Sequence, residues 1–258
     1  MRTPPGARVV SDPAELQDHF ADMPAAHIYA LGDLEEPFWS NSTWYWRDGA
    51  VVGVVGMPEG TWQAVYAVST RNPCASLDLV ADMIDDLPAG QFVTASEGLE
   101  SAIAGRRKTV WSKPHVRYEL VDPSAVPAPD VRVVALGPGH LDMLHDLYSE
   151  PDSAFLLPHM IGDDTFVGVF DSDRLVAAAG THIVSDQKRM AAIGAVYVTP
   201  THRGSGLGRA LMAGVIDRLG GRVDLIGLNV AADNTAARAL YESIGFEPIL
   251  TYDEAELA

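Results

Sequence analysis

The sequence predicts an α/β protein with a mixed central β-sheet flanked by helices. Three observations carry that expectation. Strand-like runs of β-branched and aromatic residues alternate with segments whose apolar residues recur every three or four positions. In the second half, the strand-like run "MAAIGAVYV" leads through a cluster of glycines straight into a helical pattern. Between the halves lies "VDPSAVPAPD" (121–130), which holds three prolines. Proline removes a backbone donor and disfavours both helix interiors and central strands, so this stretch reads as a connection. The expected division is a domain over 1–122, a linker over 123–130 and a second domain over 131–258.

The first half mixes both element types. "STWYWRDGAVVGVVGM" reads as a hairpin turning at Asp48-Gly49, a pair that favours tight turns. "WQAVYAVS" is a third strand. "SLDLVADMIDDL" places Leu77, Val80, Ile84 and Leu87 at helical spacing. "QFVTAS" returns to strand, "LESAIAG" is a short helix and "VRYELV" is strand again. No glycine-rich loop occurs here.

In the second half, "VRVVAL" is a strand, and "GPGHLDMLHDLYSE" is a helix with Leu141, Leu144, Leu147 and Tyr148 on one side. "DTFVGVFDSDRLVAAAGTHIVS" is a hairpin turning at Asp171–Asp173. After "MAAIGAVYV" and the glycines, Leu207, Leu211, Val215 and Leu219 mark a helix. "VDLIGLNV" is a strand, "NTAARALYESIG" a helix ended by Gly245, and "FEPILTYDEAEL" a last strand. Both halves share a strand–helix–sheet character, which suggests a distant duplication.

Composition bounds the function. The chain has 258 residues, 47% of them apolar, enough for one large domain or two small ones. Its formal net charge is −17, which argues against nucleic acid as a partner, because such binding needs a basic footprint. The single cysteine, Cys74, excludes a disulfide framework and thiolate metal clusters, and is expected as a small buried hydrophobe. No apolar run reaches membrane-spanning length, and "MRTPPGARVV" lacks the apolar core of a signal peptide. The expectation is a soluble cytoplasmic protein without a membrane partner. His140 and His145 are five apart and do not share a helix face, and no HExxH spacing occurs, so no metal is expected.

The glycine cluster lies in "VTPTHRGSGLGRALMAG" (198–214). A phosphate loop of the G-x-x-x-x-G-K-[ST] type would need a lysine that is missing here. A dinucleotide fingerprint starting at Gly204 would need its third glycine at Arg209, and more strands than remain downstream. What remains is Arg203-x-x-Gly206-x-Gly208, preceded by Val196-Tyr197-Val198 and Thr199-Pro200. Free N–H groups at a helix start, with a partial positive dipole, suit a pyrophosphate, and glycines allow close approach. Arg203 and Arg209 add positive charge.

This loop resembles the acyl-CoA loop of the GNAT superfamily of N-acetyltransferases. Downstream, "LNVAADNTAARALYESIGF" is similar to the second motif of that superfamily, with Asn229, Asn234, Leu240-Tyr241-Glu242 and Gly245-Phe246. Asn234 and Tyr241 are seven apart. Two helical turns rotate the chain by about 700°, so both side chains point the same way within roughly 20°. The resemblance covers about half of the chain, from Val131 to Ala258. It implies a GNAT fold and acetyl-CoA as cosubstrate, held by Val196, Tyr197, Val198, Arg203, Gly204, Ser205, Gly206, Leu207, Gly208, Arg209, Asn229, Asn234 and Tyr241. It further implies that Asn234 bonds the pantetheine arm and that Tyr241, as general acid, protonates the departing thiolate. A phenol with a pKa of about 10 carries that proton at neutral pH.

Gly194 interrupts a β pattern, which suggests a bulge whose freed N–H groups could face a thioester carbonyl. The strand carrying it and the strand at 224–230 would then splay into a slot for pantetheine. The superfamily often places a glutamate base on this strand, at the position of Ala192 here, and neither Met190, Ala191 nor Ile193 can accept a proton. His182 is the first substitute as base, followed by Asp186 and His159; an amine arriving unprotonated needs none. The loop-less first half resembles a degenerate GNAT-like domain, as in tandem GNAT proteins similar to glycine N-acyltransferases. "AAHIYALGDLEEPFWSNSTWYW" (25–46) reads either as core aromatics beside an acidic turn or as an acceptor pocket. In the latter, Glu35 and Glu36 would meet an amine and Phe38, Trp39 and Trp44 would supply apolar contact. The implied function is transfer of acetyl from acetyl-CoA to a primary amine of a small molecule. The alternative is a catalytically silent acyl-CoA-binding or regulatory module. Acceptor identity, acyl-chain preference and oligomeric state are not encoded in any motif.

Overall fold

In the computed structural model the chain is described except at residues 58, 59, 61, 62, 151–153 and 155. It forms two compact units: Met1–Arg117 with Val230–Asp233 and Ile249–Ala258, and Tyr118–Asn229 with Asn234–Pro248. No described helix is long and apolar enough to cross a membrane.

The first unit runs β1 (Arg8–Val10), α1 (Pro13–Phe20), α2 (Ile28–Asp33), β2 (Ser42–Arg47), β3 (Ala50–Gly56), β4 (Gln63–Ala67), α3 (Pro73–Met83), β5 (Phe92–Ser96), α4 (Leu99–Ala102) and β6 (Thr109–Leu120), whose last three residues fall to the second unit. The expected hairpin is β2–β3. Asp48 and Gly49 both take positive φ, 51° and 78°, as a twist-matched two-residue turn requires. The third strand begins at Gln63; the Trp62 end of that reading lies outside the described residues. β1 to β4 pair antiparallel, and β4 pairs parallel with β5. On the other edge of β5 lies the end of the last strand, Tyr252–Glu256, antiparallel. The core packs Tyr45, Val52, Val65, Leu79, Val80, Met83, Val93 and Leu99 together with Leu257.

Two helices here went unread in the sequence, α1 and α2. Asp12 caps α1 by accepting from the Ala14 N–H at 2.9 Å, followed by Pro13 in the first turn. α3 starts before its apolar spacing does, because Asn72 caps it and Pro73 opens it. That start leaves Cys74 exposed in the first turn, which corrects the expectation of a buried thiol.

The second unit runs β7 (Val134–Ala135), α5 (Leu141–Tyr148), β8 (Val167–Asp171), β9 (Arg174–Ser185), β10 (Met190–Val198), α6 (Leu207–Leu219), β11 (Leu225–Ala231), whose last two residues fall to the first unit, α7 (Thr235–Glu242) and the start of β12 (Phe246–Leu257). Its strands pair in the order β7-β8-β9-β10-β11, three antiparallel contacts and then a parallel one. The first unit follows the same succession. β7 is shorter than "VRVVAL" suggested, because the Asp130 carboxylate accepts from the Arg132 N–H at 2.9 Å and holds the start as a turn. α6 buries Leu207, Leu211, Val215 and Leu219. A Cβ on Gly214 would stand 2.8 Å from Val133, so this helix sits close on the segment before β7.

Candidate active site

The site grows from a strand pair that begins together and parts. β10 and β11 pair only from Met190↔Leu225 to Ile193↔Leu228, although β10 continues to Val198. Two irregularities lie where they part. Between Ala192↔Ile183 and Ile193↔Thr181, β9 carries one extra residue, His182. Between Gly194↔Gly180 and Tyr197↔Ala178, β10 carries one extra residue, with Ala195 at φ 53°. The second is the bulge expected at Gly194, and such a bulge takes a residue out of the ladder. Gly194 has a packing reason as well: a Cβ there would lie 2.4 Å from the His182 imidazole.

β10 ends at Thr199-Pro200 and a short 3₁₀ turn, and the chain then opens α6 through the glycines. Gly204 and Gly206 are left-handed, φ 76° and 81°, and nothing lies within 4 Å of a Cβ on either. Gly206 is the residue before the first helical turn. Amides in that turn have no intrahelical acceptor, so the loop offers donors on an exposed face. Gly208 touches α7: a Cβ there would stand 3.0 Å from Leu240. Arg203 is exposed, gives its Nε–H to the Val198 carbonyl at 3.1 Å and lies over the Tyr197 ring. Arg209 is also exposed, but donates to Ser243 Oγ at 2.6 Å, at the far end of α7. Ser205 is exposed, Leu207 is buried, and Val196 and Val198 are half-buried.

Asn234 caps α7, its Oδ1 accepting from the Ala237 N–H at 3.2 Å, which leaves its NH₂ uncommitted by the cap. Tyr241 is 6% exposed, and burial pushes its phenol up to about 12. It packs against Phe246 and edge-on against Tyr118. Tyr118 ties the same helix twice: its hydroxyl donates to Glu242 at 2.8 Å and accepts from Arg238 Nε at 3.0 Å. Asn229 is half-buried on β11, just past the last paired residue, Leu228.

The base candidates separate. His182 stands beside the β10 irregularity, and burial, with a smaller contribution from His159, lowers its imidazole to about 4. It is therefore neutral at neutral pH, able to accept a proton but weakly basic. Asp186 sits in the β9–β10 turn, at the opposite end of β10 from the glycine loop, and hydrogen bonds from Arg222 at 3.0 Å hold its carboxyl below the usual range. Ala192 is fully buried on β10. Among the described residues no cluster of His, Cys, Asp and Glu could hold a metal.

The 25–46 segment divides. Trp44 is 1% exposed in the core, where Gly53 leaves room for its ring, which corrects the idea that it lines an acceptor pocket. The exposed Glu36 caps a short turn by accepting from Ser40 Oγ at 2.6 Å. Glu35, Phe38 and Trp39 are half-buried around that turn. The sequence does not single out two tyrosines whose hydroxyls tie these elements together, Tyr118 bonding to α7 and Tyr148 to β10. In the sequence Tyr148 reads only as part of an apolar helix face, yet its hydroxyl donates to the Ala195 carbonyl at 2.6 Å.

Residues 140–246 match the acetyltransferase (GNAT) family. A mycothiol acetyltransferase from Kocuria rhizophila is 45% identical over 82 residues, covering 30% of this chain and 27% of that protein. A [ribosomal protein bS18]-alanine N-acetyltransferase from Escherichia coli is 43% identical over 74 residues, covering 28% and 48%. The chain thus spans about a quarter to a half of the length of these curated relatives. A solved tandem GNAT protein from the clavulanic acid biosynthesis pathway aligns over 97% of both chains at 16% identity, with a TM-score of 0.52. By motif, topology and these likenesses, the chain carries the GNAT fold, and its residues 140–246 resemble the GNAT acetyltransferase family.

Proposed function

We propose that the chain is an acetyl-CoA-dependent N-acetyltransferase that moves an acetyl group to a primary amine of a small molecule. The observation that carries this reading is the parting of β10 from β11 beside a bulge, at the strand that ends in a left-handed glycine loop. The residues fit the cosubstrate. Open amides at the start of α6 and the exposed Arg203 suit the phosphates; Arg209 reaches them by giving up Ser243. The Asn234 NH₂ and Asn229 suit the amide-rich pantetheine arm.

Acetyl-CoA supplies a thioester carbonyl that an amine can attack. The protein's share is to polarise and to protonate. Backbone donors at the Ala195 bulge stabilise negative charge developing on the carbonyl oxygen. Tyr241 gives its proton to the leaving sulfur, and its raised pKa keeps that proton in place through neutral pH. The neutral His182 is the first base; a deprotonated acceptor makes it dispensable. The first unit is read as a degenerate GNAT-like half in a tandem arrangement, supported by its matching succession of elements. The names of the relatives support an acetyl donor and, for the ribosomal-protein enzyme, an amino acceptor.

Acetyl-CoA turnover across a panel of small amines and amino-terminal peptides tests the reading. Turnover with a small amine is expected. Turnover with peptides alone would move the acceptor class. Tight binding with no turnover would favour the silent acyl-CoA-binding module, the reading that the buried Ala192 supports.

A further inference from the structure

We propose that Tyr148 is a positioning residue for acyl transfer, holding the β10 bulge in shape through its hydrogen bond to the Ala195 carbonyl. The inference rests on the reading of that bulge as the element that polarises the thioester.

Ala195 is the anomaly that demands a support. Among the described residues, five other than glycine have positive φ. Asp48, Asp164, Ser172 and Arg189 lie at turns or bends, where such backbone is common. Ala195 alone lies inside a strand. Alanine has no polar side chain with which to brace a left-handed conformation, and its Cβ makes that conformation unfavourable. Such a residue persists where its surroundings over-determine it. Gly194 is pinned against the His182 ring on one side, and Tyr148 donates to the carbonyl of the next residue at 2.6 Å.

The donor is itself well fixed. Tyr148 is the last residue of α5, whose Leu144 and Leu147 are buried with Phe166, Ala195 and Tyr197. The Tyr148 and Tyr197 rings stand 6.4 Å apart, so the phenol approaches the bulge from the face where Tyr197 is packed. Burial raises the Tyr148 pKa well above its ordinary value, which keeps the hydroxyl a donor. A hydrogen bond to Ala195 O constrains the peptide group that joins Ala195 to Val196, and with it the direction of the Val196 N–H.

The test compares wild type, Tyr148→Phe and the double variant Tyr148→Phe/Ala195→Gly. Acetyl transfer is followed with kcat and KM separated, together with amide hydrogen exchange over residues 190–198. Removing the hydroxyl should lower kcat about tenfold with the KM for acetyl-CoA nearly unchanged, the pattern of a contact that matters in the transition state. Exchange over 190–198 should rise. Glycine adopts the left-handed conformation without a Cβ penalty, so the double variant should recover both kcat and protection. Unchanged kcat and exchange in Tyr148→Phe would overturn the proposal. So would a double variant no better than the single one, including the case in which both merely melt early. If wild type acetylates nothing in the panel, the enzymatic reading fails, and the exchange comparison alone still decides whether Tyr148 holds the bulge.

Discussion

Tyr241 is the residue on which an enzyme and a binding module differ most. It is nearly fully buried, so its ring does packing work against Tyr118 and Phe246 whatever its hydroxyl does. Tyr241→Phe keeps that packing and deletes the proton. The expected outcome is a fall in kcat on the order of 10²-fold with acetyl-CoA affinity retained in calorimetry. Full activity would pass the proton to water or substrate; early melting with no kinetic defect would make the hydroxyl structural. Buried histidines predict a pH effect with a definite sign. Burial first, then Arg117, lowers His27 to about 3, while His182 is lowered to about 4, both from an ordinary 6.5. Each takes up a proton more readily in the unfolded chain, so its contribution is complete above pH 6.5 and lost as pH falls toward 4 and then 3. Thermal midpoints should fall over that window. His182→Gln should flatten the upper part of the curve, and an unaltered slope would mean that the carboxylates dominate.

At the scale of single elements, the loop that opens α6 and the turn that closes α7 are the sensitive ones. Gly206 is left-handed with open space around it, so Gly206→Ala introduces strain alone and Gly206→Glu adds a negative charge. Acetyl-CoA affinity should fall at least about tenfold more in the glutamate variant than in the alanine one, about 1.4 kcal/mol. Equal losses would show that no anion lies there. Gly245 is tighter. Its φ is 93°, and a Cβ would stand 2.1 Å from the Asp122 carbonyl oxygen, while its own carbonyl accepts from the Val121 and Asp122 N–H groups. Gly245→Ala should cost about 2 kcal/mol or more in denaturant unfolding, because strain and clash act together. A loss within about 0.5 kcal/mol, the level of an ordinary surface change, would mean that the turn relaxes.

At the scale of the whole molecule, two units share one succession of elements but differ in how far their parallel strand pairs stay together. In the first unit β4 and β5 stay paired to Ala67↔Ala95, the last residue of β4. The connection that corresponds to the glycine loop caps itself. The Ser69 N–H goes to Ser96 Oγ at 3.0 Å, the Asn72 N–H to Ser69 Oγ at 3.0 Å and the Ala75 N–H to Asn72 Oδ1 at 3.3 Å. Pro73 has no N–H to offer. Calorimetry should therefore find one acetyl-CoA bound per chain. A stoichiometry near two would show that the first unit opens a slot of its own.

Much of the second unit is legible in the sequence alone. The glycine loop, the strand "MAAIGAVYV", the helix with apolar residues every four positions and the Asn234–Tyr241 spacing are local patterns. The structure places β10 and β12 at the expected bounds. Left-handed turns at Asp48-Gly49 and Gly206 follow from residue type, because few residues tolerate positive φ. Tertiary structure decided what local pattern does not encode. Tyr148 and Ala195 are 47 positions apart, and nothing in either neighbourhood announces a hydroxyl meeting a bulge carbonyl. An apolar aromatic such as Trp44 satisfies a pocket and a core equally well on paper; only Gly53 across the hairpin shows which. The last strand is legible as a strand, yet its period of two specifies a buried face and not a neighbour. That Tyr252–Glu256 runs beside β5 in the first unit depends on backbone hydrogen bonds, which are the same for every residue and so leave no mark in the sequence.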